Sequence, residues 1–173
     1  MMKRRNRRVT FIVTAAMIAA LYVVLSLVSN AFGLASGAIQ LRISEALTIL
    51  PAFTPAAVPG LAIGCLLFNL LSGAAMPDVI FGTIATLLGA IGSWRIATLW
   101  RGKRFMPFLL PLPPVLWNAC IIPWVLKVAY GLTDVYWYLF ATVGLGELLS
   151  CGVLGLLLYS SVKPVARFLF KTH

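Results

Sequence analysis

Residues 38–55 read AIQLRISEALTILPAFTP, and they decide how the chain is read. The apolar segment within them, about 42–54, opens with Arg42, Ser44 and Glu45 and runs into Pro51 and Pro55. As an α-helix it reaches about 20 Å at about 1.5 Å per residue. That is short of the roughly 30 Å of a bilayer core. Pro51, Pro55 and Pro59 kink or end a helix because proline lacks the backbone donor. A short, broken helix is tolerated in a membrane where protein or a water-filled cavity satisfies its backbone. The stretch therefore predicts a second pass beside a cavity. The plainer alternative is a tight helical hairpin that binds nothing.

The rest of the chain fits a membrane setting. Of its 173 residues, 61% are hydrophobic and 10% charged, and mean hydropathy is +1.00. Soluble domains carry about a quarter charged residues. Apolar runs predict six transmembrane helices at about 9–33, 42–54, 56–72, 78–100, 105–130 and 135–162. The expected fold is an all-α, six-helix membrane bundle forming one domain over 1–173, with a short broken second helix. Pro107, Pro111, Pro113 and Pro114 mark a second irregular stretch early in the fifth helix.

The net charge of +10 does not indicate nucleic acid, because of where the charges lie. Three clusters hold 12 of the 14 basic residues: Lys3, Arg4, Arg5, Arg7 and Arg8; Arg95, Arg101, Lys103 and Arg104; Lys163, Arg167 and Lys171. All three flank apolar runs, and the positive-inside rule places them in the cytoplasm. Six passes then put both termini on the cytoplasmic side of the cell membrane, with the basic clusters facing anionic lipid. The apolar run Val9–Leu34 is longer than the core of a secretory signal, so it reads as a retained helix, with cleavage at the small residues of LASGA as the alternative. Cys65, Cys120 and Cys151 have no metal or disulfide spacing and read as core residues.

The chain has four acids, Glu45, Asp78, Asp134 and Glu147. Glu147 falls near the middle of the sixth helix, and Asn118 at a similar depth in the fifth. An intramembrane ionisable residue is expensive and marks a functional site by default. In this topology Arg42, Glu45, Asn69, Asp78, Asn118 and Glu147 share the outer half of the bundle and form the candidate substrate site. Arg42 and Glu45, three apart, share a helix face; their plainer reading is an interfacial pair at a helix start. Trp117 adjoins Asn118 and is a candidate stacking residue. Trp94, Trp100, Trp124, Tyr136, Trp137 and Tyr138 read as an interfacial belt. The lone histidine is His173, and no nucleophile–base or phosphate-binding motif is present, so no enzyme, metal or cofactor is expected. In TAAMIAALY, Ala15 lies above Ala19 and Ala16 above Ala20, which permits close approach of another helix.

Four stretches, IQLRISEALTILPAFTPAAVPGLAIGCL, DVIFGTIATLLGA, LPPVLWNA and GLGELLSCGVLGLLLY, resemble the QueT family over roughly residues 10–162. That resemblance implies the substrate-binding S component of an energy-coupling factor importer for queuosine precursors. It implies a pocket in the outer half, partly closed by the loop at about 34–41. It also implies docking on a transmembrane T protein served by two ATP-binding subunits, through Ala15, Ala16, Ala19 and Ala20. A 7-deazaguanine base would suit the polar set. A carboxylate accepts from its adjacent N–H and amine, and asparagine serves a carbonyl and a ring nitrogen. Glu147 with Asn118 is expected at the base, and Glu45 or Asp78 at any aminomethyl cation. The rivals are a proton-coupled carrier using Glu147, needing no ATPase, and an S component for another vitamin-like substrate.

Overall fold

The computed structural model describes residues 2–34 and 41–170. Every regular element among them is helical. Helix α1 is Met2–Ala31, and a 3-10 helix follows at Ile43–Ala52. Then come α2 (Ala57–Leu71), α3 (Met76–Leu99), α4 (Met106–Leu109), α5 (Leu112–Tyr130) and α6 (Tyr136–Glu147). A π-helical stretch, Leu148–Leu154, leads into α7 (Gly155–Val162), and α8 (Ala166–Leu169) closes the described chain.

Inter-helix contacts give the direction of each pass. Gly60 and Gly64 of α2 lie against Ala15 and Tyr22 of α1, so these helices run parallel. The 3-10 helix returns the chain between them. Asn69 meets Asp78, and Cys65 meets Thr86, so α3 runs back along α2. Gly89 faces Pro114, and Phe81 packs on Trp124, so α5 reverses again. Tyr136 bonds Cys120 O, which turns α6 back. The helical segments thus alternate in direction, and their number matches the six predicted helices. Among the described residues, Arg7–Ala31, Met76–Leu99, Met106–Tyr130 and Tyr136–Val162 are long and apolar enough to cross a membrane. The 3-10 helix and α2 are shorter.

Composition explains the outside of the bundle. Ile12 and Met17 of α1 are 65% and 68% exposed, and Phe108, Leu116, Val128 and Trp137 also face outward. Exposed apolar surface on this scale matches a lipid solvent. Trp100, Trp124 and Tyr138 of the expected belt are exposed as well.

Small residues set the inside. A methyl carbon added to Gly60 would stand 2.7 Å from Ala15 O, and one added to Gly64 would stand 2.7 Å from Tyr22 Cβ. Helices α1 and α2 therefore touch backbone to backbone, through Ala15 and Ala19 on one side and the two glycines on the other. This divides the expected docking ridge. Ala15 and Ala19 are buried against α2, and only Ala16 and Ala20 remain on the surface. The α5 prolines have a parallel explanation: Pro113 and Pro114 pack on Gly92 and Gly89 of α3. Ser93 Oγ donates to Leu110 O at 2.8 Å and ties the turn between α4 and α5.

The second pass differs from the expected α-helix over 42–54. It is a 3-10 helix, with a rise of about 2.0 Å per residue, so ten residues span about 20 Å. Such long 3-10 runs are uncommon. Here Ser44 through Pro51 are all buried, and enclosure by α1, α2, α3, the π stretch and α7 fixes the geometry. Arg42 precedes the helix with extended backbone (φ −101°, ψ 99°). It therefore does not share a helix face with Glu45 as the spacing predicted. At the other end Phe53 stacks on Tyr159 and Phe170, at centroid distances of 5.0 and 6.2 Å.

Candidate functional site

The buried 3-10 helix carries Glu45 into the middle of the bundle, 1% exposed. The Tyr22 hydroxyl of α1 donates to Glu45 Oε1. Thr48 Oγ1 donates to the Glu45 carbonyl at 2.6 Å. Ser26 and Ser44 bond each other at 2.7 Å, and Ile43 N donates to Ser29 Oγ at 3.0 Å, which fixes the entry of the 3-10 helix against α1. From the far side, Glu147 closes α6, and Cys151 lies in the π stretch. Ligand atoms of Glu45, Glu147 and Cys151 all lie within 4.8 Å of one another, and all three residues are buried. Cys151 Sγ donates to Glu147 Oε2 at 3.2 Å. Single-turn π insertions gather at functional sites, and this one adjoins the acid.

A second polar group lies where α2, α3 and α5 meet. Asn69 Nδ2 donates to Asp78 O at 3.3 Å. Tyr130 Oη donates to Asp78 Oδ2 at 3.0 Å and accepts from Ala75 N at 3.3 Å. Gly82 leaves the room, since a methyl carbon there would stand 3.2 Å from both Asn69 Nδ2 and Asp78 Oδ1. Cys65 joins the two groups: it takes bonds from Thr86 at 3.4 Å and Asn69 at 3.6 Å, and it lies within electrostatic reach of Glu45 and Tyr22.

Arg42 is partly buried, and its charge acts on Asp78, Glu45 and Glu147. Three buried side-chain oxygens have no partner among the described residues: Glu45 Oε2, Asp78 Oδ1 and Ser150 Oγ. Buried polar atoms are nearly always bonded, so each unbonded one calls for a ligand, ion or water.

Arg42 is thus within electrostatic reach of Glu45, Asp78 and Glu147, and Asn69 bonds Asp78. Asn118 is buried, but its amide bonds Pro114 O at 3.1 Å on its own helix, and no hydrogen bond joins it to Glu147. Trp117 is 43% exposed on the outer surface of α5 and is not brought to the cluster. Cys65 and Cys151 are core residues as expected, whereas Cys120 is exposed on the outer side of α5. Most of the 34–41 loop falls outside the described residues. Sequence reasoning missed Tyr22, Thr86, Tyr130 and Cys151. Of these only Cys151 carried a signal, lying four residues after Glu147.

Comparison with known proteins agrees with this architecture. The chain matches the QueT transporter family over residues 12–164. A curated relative, the queuosine precursor transporter QueT of Lactococcus lactis subsp. cremoris (strain MG1363), is 39% identical over 77 residues. That alignment covers 44% of this chain and 45% of the relative, so it spans under half the length of either. No solved structure matches. With the family match covering most of the chain, an all-helical bundle and lipid-compatible outer faces, this membrane protein belongs to the QueT transporter family.

Proposed function

We propose that the chain is the substrate-binding S component of an energy-coupling factor importer that takes up a queuosine precursor, a 7-deazaguanine derivative. The observation that carries this reading is the set of buried polar residues Glu45, Asn69, Asp78 and Glu147 with partly buried Arg42, in which two carboxylates each keep an oxygen without a partner among the described residues. Such a cluster costs stability in the absence of a ligand and supplies the acceptors that a purine-like base needs. The family and the relative's name support transport of that class. Binding and translocation, not catalysis, is the activity.

The three basic clusters support an orientation with both termini in the cytoplasm of the cell membrane, so the cluster faces outward. Ala16 and Ala20 offer a small-residue surface on α1 for a transmembrane T protein, itself driven by two ATP-binding subunits. The proximity of Glu45 and Glu147 favours one rival, a proton-coupled carrier that needs no partners.

Native mass spectrometry of the protein purified from cells, followed by uptake of the released compound in cells with and without the ATPases, tests the proposal. A co-purifying 7-deazaguanine and ATPase-dependent uptake are expected. Uptake that survives loss of the ATPases and stops with a protonophore would select the carrier instead.

A further inference from the structure

Serines of α1 hold the 3-10 helix at its start, and aromatic rings hold it at its end. Phe53 N and Thr54 N both donate to Leu50 O, which closes the helix. Phe53 stacks on Tyr159 of α7 at 5.0 Å, and on Phe170 at 6.2 Å with the rings only 12° from parallel. Lys163 Nζ stands 5.9 Å from the Tyr159 ring centroid and adds a cation to the stack. The tail of the chain thus reaches back to the residue that ends the 3-10 helix. What delivers Phe170 there is short. Pro164 follows α7 and stops it, and α8 has four residues, far fewer than the roughly 12 a helix needs to stand by itself. Phe170 turns inward onto Leu158 and Val162, while its neighbours Phe168 and Leu169 are 82% and 60% exposed.

The surroundings say what covers those two side chains. The long apolar pass ends at Val162, so Phe168 and Leu169 lie just beyond a bilayer-spanning segment. Tyr159 packs with Met106 and Leu110, and Gly60 lies on Ala15, so this end of the bundle also carries the 101–104 turn and the start of α1. All three basic clusters therefore belong to it, and Lys163, Arg167 and Lys171 belong to the tail itself. The four acids lie elsewhere: Glu45 and Asp78 open their helices at the opposite end, Asp134 precedes α6 and Glu147 is midway along the last pass. Exposed apolar side chains among cations, with no acid to neutralise them, complement an anionic lipid surface. We propose that Val165–Phe170 is a strap held down by anionic lipid: the bilayer surface takes Phe168 and Leu169, which seats Phe170 on Phe53 and locks that end of the 3-10 helix. A 3-10 run of ten residues needs such a lock, because its geometry is sustained by enclosure. Lipid charge at one face of the bundle then sets the rigidity of the element that carries buried Glu45.

Hydrogen exchange of the full chain in nanodiscs tests this, with discs of phosphatidylcholine alone or of an equal mixture with phosphatidylglycerol. Each basic residue near an anionic surface favours contact about 5-fold, so Arg167 and Lys171 should slow exchange of residues 49–54 by about 5- to 25-fold in the anionic discs. Arg167→Gln with Lys171→Gln should abolish the difference between the discs. Phe170→Ala should give residues 49–54 one fast rate in both discs, while residues 85–93 of α3, packed on α5, keep their wild-type protection and certify the fold. Phe168→Ala with Leu169→Ala should free the strap and do the same. Equal exchange of wild-type residues 49–54 in the two discs overturns the proposal, as does protection that survives Phe170→Ala. Loss of protection along the whole chain in Phe170→Ala also overturns it, since the ring would then be ordinary core. Protection that appears only with a co-purified protein, in either lipid, assigns the face to that partner and overturns the lipid strap.

Discussion

Tyr22→Phe removes one oxygen atom from the middle of the bundle and isolates what that oxygen does. Tyr22 is 1% exposed, and its hydroxyl donates to Glu45 Oε1. The ring stays, so packing against α2 is kept. What is lost is a hydrogen bond to a charged acceptor, worth about 1.5–3 kcal/mol. Glu45 Oε2 has no partner among the described residues to take over the charge. At about 2–4 °C per kcal/mol for a chain of this size, the melting temperature should fall by about 3–12 °C. The second arm of the cycle is the same change in a Glu45→Gln background. There the acceptor is neutral, and the bond is worth about 0.5–1.5 kcal/mol. The coupling between the two sites should therefore reach about 1 kcal/mol or more. Thermal unfolding of detergent-purified protein, followed by intrinsic tryptophan fluorescence, reads all four corners. Equal losses in the two backgrounds, or no loss in the first, would refute the argument that Glu45 is held in place as a buried charge by Tyr22.

Three further outcomes are expected. Gly64→Ala places a methyl carbon 2.7 Å from Tyr22 Cβ, while Gly144→Ala meets only Ala119 Cβ at an ordinary 3.5 Å. The first should lose about 1–2 kcal/mol net of its gain in helix propensity and the second should lose nothing, as thermal melts will show. Replacing Ala16 and Ala20 with tryptophan should block co-purification with a T protein and its ATPases while cargo binding to the isolated chain survives; an unchanged co-purification ratio removes this face from docking. Lys103→Cys, in a Cys120→Ser background, should resist membrane-impermeant thiol reagents in intact cells and react after permeabilisation; labelling of intact cells would reverse the proposed orientation.

Hydropathy made the all-helical bundle legible, because a long apolar run becomes a helix in lipid. The shortness of the second pass was equally readable from Pro51 and from the polar start at Arg42 and Glu45. Its 3-10 form was not, since that depends on enclosure by five other elements and not on local preference. The candidate site was legible where cost exposed it. Glu45, Asp78 and Glu147 are conspicuous because acids are rare in apolar sequence. Tyr22, Thr86 and Tyr130 were hidden because hydroxyls are ordinary in membrane helices, and only the fold shows which carboxylate or thiol each one meets. Trp117 was misleading for a related reason. Adjacent helix positions face about 100° apart, so sitting next to buried Asn118 sends it outward. Ala15, Ala16, Ala19 and Ala20 could not be divided by spacing alone, and it took Gly60 and Gly64 to show which pair is covered.

The π stretch Leu148–Leu154 makes chain length, and not chemistry, the determinant of where a charge points. A π turn accommodates one residue more than an α turn. Deleting any one of these residues would let the helix relax to α geometry, with Glu147 turned by about 100° relative to α7. Hydropathy, composition and the tally of acids would barely change. Yet the carboxylate would swing from the centre of the bundle toward hydrocarbon, where it is least tolerated. Two sequences with superimposable hydropathy plots, one residue apart in this segment, would therefore differ in whether they have a buried carboxylate centre at all, and an alignment gap here carries more meaning than a substitution.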